Sequence, residues 1–110
     1  MNTATNIHVD LAVDENGLLI NPADWDEDIA YILAREAGIP FLGPDHWKVI
    51  YALRKHYEKF GVAPAMHNVC HQHGKDDAWV HNLFHTCMDA WRISGMPDPG
   101  EESRAYLSDM

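Results

Sequence analysis

Glycine and proline recur so often along this chain that no single element can run far. Asn16-Gly17, Pro22, Gly38, Gly43-Pro44, Gly61, Pro64, Gly74, Gly95, Pro97 and Pro99 cut it into short pieces. Glycine readily takes the left-handed conformation that ends helices, and proline lacks the N–H needed to continue one. Each break therefore has a direction. Gly38, Gly61 and Gly74 read as helix stops, whereas Pro44 and Pro64 suit first turns.

The pieces between the breaks carry two periodicities. Ile7-His8-Val9-Asp10-Leu11 alternates with period two, as a strand with one buried face does. Asn16-Gly17 follows, then the apolar run Leu18-Leu19-Ile20, which predicts a β-hairpin over roughly 7–20, because both turn residues tolerate positive φ. Beyond Pro22 the period becomes helical. Asp24, Asp26, Glu27 and Asp28 sit where a helix dipole favours negative charge, and Ile29, Ile32 and Leu33 repeat at helical spacing. Trp47, Ile50, Leu53 and Tyr57 form one apolar stripe before Gly61, and Trp25, Trp47, Leu53 and Tyr57 are the expected core contributors. A third helix is expected from Pro64 towards Gly74, a fourth capped by Asp76 or Asp77, and a fifth through Trp91 to Ser94. The predicted fold class is mostly α (α+β): an N-terminal two-stranded hairpin and a compact orthogonal bundle of about five short helices. One domain over 1–110 is expected, with 100–110 as a flexible polar tail.

Charge and cysteine usage narrow the function classes. Net charge is −9, but residues 46–75 hold five basic groups against one acidic, and seven of the eight histidines lie in or just beyond that third. The overall sign argues against indiscriminate nucleic-acid binding, which needs a basic footprint. No apolar run approaches the roughly 20 residues that span a bilayer, so no membrane role is expected. Two cysteines, Cys70 and Cys87, are too few for a disulfide framework and fit a cytoplasmic setting with reduced thiols.

Several blocks fall in an order that resembles the DsrC/TusE sulfur-relay family. Asp14-Glu15-Asn16-Gly17-Leu18-Leu19-Ile20-Asn21-Pro22-Ala23-Asp24-Trp25 is similar to its N-terminal hairpin and first-helix entry. Ala34 to Ile39, His46-Trp47 with Leu53-Arg54 and Tyr57, and Ala63-Pro64-Ala65-Met66 resemble the family's first three helices. Arg92-Ile93-Ser94-Gly95-Met96-Pro97-Asp98-Pro99 resembles its Arg/Lys-Ile-Ala-Gly-Leu-Pro-Lys-Pro segment. The resemblance implies a partner-docking protein of sulfur metabolism, with Arg92, Gly95, Pro97 and Pro99 in the docking segment, rather than an enzyme in its own right.

Family members carry sulfur on a cysteine next to last on a C-terminal arm, and dissimilatory members have a second cysteine before the Arg-Ile. Counting along the matched segment, Glu102 and Trp91 stand at those places. Neither can hold a persulfide, which needs a thiolate. The resemblance thus implies a regulatory or partner-binding relative without the carrier thiols.

Two alternatives stay open. In the first, Cys87 or Cys70 takes over sulfur transfer, although helical cysteines more often act as small buried hydrophobes. His67, Cys70 and His71 also share one helical face, and His81 and His85 are again one turn apart. Such pairs can ligate Zn²⁺, but no motif of fixed ligand spacing accompanies them. No cofactor is otherwise expected.

Overall fold

The computed structural model describes residues 12–110. A short 3₁₀ turn at Pro22–Asp24 leads into six α-helices among the described residues: α1 Glu27–Glu36, α2 Pro44–Phe60, α3 Met66–Gln72, α4 Trp79–Phe84, α5 Cys87–Ile93 and α6 Glu101–Asp109. Local chemistry sets the ends. Asp26 caps α1 by accepting the Ile29 N–H at 2.9 Å, and Thr86 caps α5 by accepting that of Asp89 at 3.0 Å. Helix α2 runs from its first-turn Pro44 to Gly61 at φ 71°, as the punctuation predicts.

The expected strand at Ile7–Leu11 lies outside the described residues. Within them, one antiparallel bridge joins Val13 to Leu19, and no longer strand forms. The turn between the bridged residues uses one residue of the Asn-Gly pair. Gly17 alone has positive φ, at 77°. Its N–H bonds to the Asp14 carbonyl at 3.0 Å, and the Asp14 N–H reaches Leu18 at 2.8 Å. This is the three-residue loop with one left-handed glycine, not the two-residue form. Asp14 selects it, because its carboxylate accepts the N–H groups of Asn16 and Leu18 at 2.8 and 3.1 Å.

The segment expected as a polar tail is a helix. Glu101 and Glu102 occupy its first turn, where the dipole favours them, and Leu107 is fully buried. Asp98 holds the entrance by accepting the Gly100 N–H at 2.9 Å and Arg104 Nη1 at 2.5 Å. Those two bonds keep its carboxyl below the usual carboxylate range. Tyr106 then accepts the free N–H of Met66 at the start of α3, at 3.0 Å.

Helix α5 sits at the centre, packed against α1, α2, α4 and α6. Its Ala90, Trp91 and Ile93 are fully buried, alongside Val49, Ile50 and Leu53 of α2. Of the four expected core contributors, only Leu53 is fully enclosed; Trp25, Trp47 and Tyr57 are half-buried rings packed against the core's edge. The largest fully buried side chain is Trp91.

Candidate functional site

The best-organised site is the joint where α5 ends. After Ile93 the Gly95 N–H bonds to the Arg92 carbonyl at 3.0 Å and the Met96 N–H to that of Trp91 at 3.4 Å. This pairing closes a helix on a left-handed residue, and Gly95 has φ 72°. The remaining terminal carbonyls lack helical partners and are taken by side chains from distant segments. Trp25 Nε1 donates to Ile93 O at 2.9 Å, and Arg54 Nη1 to Ser94 O at 2.7 Å. Arg54 Nη2 also reaches Pro22 O at 3.3 Å, and its guanidinium lies 4.0 Å from the centre of the Trp25 ring. Burial pulls the Arg54 pKa below its ordinary value. Beside this joint lies a cleft of about 540 Å³, lined by Pro22, Tyr51, Arg54, Tyr57, Glu58 and Met96 among others.

The residues expected to dock a partner are largely used within the chain. Arg92 is half-buried; its Nε donates to Asn16 O at 3.0 Å and its Nη1 pairs with Asp89. Gly95 is buried, and a Cβ there would stand 2.1 Å from Trp25 Cδ1. The Pro97 carbonyl accepts Trp91 Nε1 at 2.8 Å, while Pro97 and Pro99 are part-exposed. Glu102 is exposed on the first turn of α6. Trp91 fills the middle of the core, a role its sequence position before Arg-Ile did not reveal.

Neither thiol is placed as a nucleophile. Cys70 and Cys87 are free, buried and only 1% and 2% exposed. Burial, and to a lesser extent the charge of Cys70, pushes the Cys87 thiol from 9.0 up to about 11. At neutral pH Cys87 is therefore protonated, and a thiol is a poor sulfur acceptor.

The described histidines do not gather into a metal centre either. His67 and His71 are exposed, with ring centres 6.1 Å apart. His71 Nε2 turns to the Asp77 carboxylate at 2.8 Å. His81 Nδ1 meets the Met110 carbonyl, and His85, exposed, ends α4 at φ 74°. Cys70 Sγ points to the Asp77 carbonyl at 3.9 Å. Among the described residues no three His, Cys, Asp or Glu side chains are grouped to hold an ion. The i, i+4 pairs are real, but α3 and α4 do not bring them face to face. His46 has a structural duty: Nδ1 accepts the Gly43 N–H at 3.0 Å, which leaves Nε2 to donate to Leu83 O at 3.0 Å.

Comparison with known proteins fits this arrangement. The model of the DsrC-like protein family matches residues 6–101. A sulfurtransferase TusE of Photorhabdus laumondii is 30% identical over 99 residues, covering 82% of this chain and 88% of the relative. The gamma subunit of dissimilatory-type sulfite reductase from Nitratidesulfovibrio vulgaris is 32% identical, covering 79% of this chain and 85% of that protein. The crystal structure of the oxidized gamma subunit (DsrC) from Archaeoglobus fulgidus superposes with a TM-score of 0.74 at 32% identity, over 83% of this chain and 90% of that one. The family match stops one residue short of Glu102.

Proposed function

The chain belongs to the DsrC-like family, and we propose that within it this protein binds a partner of a sulfur-relay complex without carrying sulfur itself. The observation that carries this reading is the state of the thiols: both are buried, and Cys87 is held protonated. Sulfur transfer requires an accessible thiolate that can attack and be attacked. The resemblance supplies the second support, since Trp91 and Glu102 stand where relatives carry cysteine. Trp91 is also locked in the core by its bond to Pro97 O, so a thiol there would leave a large void.

In this reading the protein occupies a docking position that a thiol-bearing relative would otherwise fill, and so regulates the relay in a reduced, cytoplasmic setting. The part-exposed Pro97–Pro99 segment and the cleft beside Arg54 form the docking surface, with Arg92 and Gly95 holding it from beneath. No helix among the described residues is long and apolar enough to cross a membrane.

Two measurements test the proposal. Incubation with a persulfide donor, followed by intact-mass analysis, is expected to show no added sulfur. A stoichiometric gain that disappears in Cys87→Ser would replace this reading with direct transfer. Separately, the protein should displace a thiol-bearing relative from that relative's partner in a competition assay; failure at saturating concentration removes the regulatory role.

A further inference from the structure

A second groove, of about 470 Å³, runs along α2 against the end of α3. Its lining includes Lys48, Lys55, Lys59, His56, Phe60 and Gln72, and no carboxylate among the described residues. The three lysines stand at i, i+7 and i+11, which places them within about 40° of one another around the helix. All three are exposed. Lys48 has only a loose contact with Asp45, at 3.5 Å between two well-exposed groups, and such pairs contribute little. Among the described residues Lys55 and Lys59 are paired with no carboxylate; Lys59 Nζ lies 5.3 Å from the Phe60 ring centre.

Lys55 and Lys59, like charges one turn apart, cost the helix a few tenths of a kcal/mol, roughly. Folding therefore gives no reason for this cluster, least of all in a chain of net charge −9 whose residues offer carboxylates in excess. Exposed apolar surface accompanies the charge: Phe60 is 59% exposed and Tyr51 46%. Exposed aromatic rings beside the lysines offer a bound chain apolar area, as aromatic residues do at protein interfaces.

From this face we propose that α2 binds an acidic, extended segment of a partner protein. Lys48 and Lys59 are separated by about 16 Å along the helix axis, the length of roughly five residues of extended chain. A small anion could at most bridge Lys55 and Lys59, one turn apart, and would leave Lys48 unused. Nucleic acid would be repelled by the acidic remainder of the molecule, whereas a peptide touches the basic strip alone. That same remainder steers an acidic segment to this face and no other. The inference does not depend on whether the protein carries sulfur.

Isotope-labelled protein titrated with a synthetic peptide of about ten residues, Glu alternating with Leu and Tyr, provides the test by amide chemical shifts. Shifts should be confined to Lys48–Phe60 and the Gln72–His73 turn. Affinity should fall about tenfold or more in Lys48→Gln/Lys55→Gln/Lys59→Gln, and similarly when salt is raised well above physiological strength. Gln forms helix well and these sites are exposed, so the variant is expected to fold. Should it not, the salt series and a peptide with Gln for Glu decide the matter on the wild-type protein. Equal binding of the Gln peptide, tighter binding of a single-stranded oligonucleotide, shifts elsewhere, concentration-dependent self-association as the sole effect, or no shift at millimolar peptide each overturns the proposal.

Discussion

Replacing Gly95 with alanine adds one methyl group at the point where the chain is most tightly closed. The new Cβ would lie 2.1, 2.4 and 2.7 Å from Cδ1, Cγ and Cβ of Trp25. Trp25 cannot simply turn away, because Nε1 is bonded to Ile93 O, its face is under Arg54 and its edge meets Tyr51. Three losses combine. Left-handed backbone costs a non-glycine residue about 1–2 kcal/mol. Breaking the indole bond costs about 1 kcal/mol, and losing the guanidinium stack about 0.5–1 kcal/mol. The total is about 2.5–4 kcal/mol, or a fall in Tm of 10 °C or more, roughly, for a domain of this size. Gly38→Ala is the control: φ there is 83°, yet nothing stands within 4 Å of the added methyl, so only the backbone cost remains. Urea unfolding of both variants, and of Gly95→Ala in a Trp25→Ala background, separates clash from strain. If Gly95→Ala and Gly38→Ala agree within about 0.5 kcal/mol, the limit of ordinary additivity, the joint is not what holds Trp25.

Two further outcomes are expected. The Cys87 thiol ionises at about 11 when folded against 9.0 for an ordinary thiol. Its raised value means full contribution to stability below pH 9.0 and progressive loss up to about 11. Wild type should therefore lose more stability across that window than Cys87→Ala, and its native thiols should resist a disulfide reagent at neutral pH until urea exposes them; equal slopes or fast native labelling refutes this. Tyr106→Phe removes the acceptor for the Met66 N–H and should cost about 1 kcal/mol in denaturant unfolding; no change would mean that water caps α3 instead.

How much of this was legible in the sequence depended on where the deciding residue sat. Helix α2 was readable at both ends because Pro44 and Gly61 act locally. The loop at Gly17 is locatable in the sequence but its form is not, since the choice lies with the Asp14 side chain two residues before Asn16. Helix α6 was missed because its apolar residues, Tyr106 and Leu107, are few; Asp98 ahead of Gly100 and the acidic first turn were the available signals. Both cysteines, read as small hydrophobes on helices, are buried. The histidine pairs show the opposite lesson. Spacing along one helix is visible in sequence, but the facing of α3 and α4 is tertiary, and no amount of i, i+4 counting supplies it.

The two most specific blocks of the family resemblance, residues 14–25 and 92–99, are far apart in sequence and touch in space. Arg92 Nε donates to Asn16 O, Trp25 Nε1 to Ile93 O, and Arg54 bridges Pro22 O and Ser94 O. Gly17 and Gly95 belong to the same joint: a methyl at Gly17 would come 3.2 Å from Arg92 Nε, as one at Gly95 would strike Trp25. Each landmark thus has an architectural reason to be where it is, in closing the turn region onto the end of α5. None of those reasons involves sulfur. A chain can keep every one of these residues, and with them the fold, while the thiol that defines a carrier is absent or enclosed. Shared landmarks therefore speak for the scaffold, and the chemistry has to be argued from the thiols alone, which here are buried and, at Cys87, protonated.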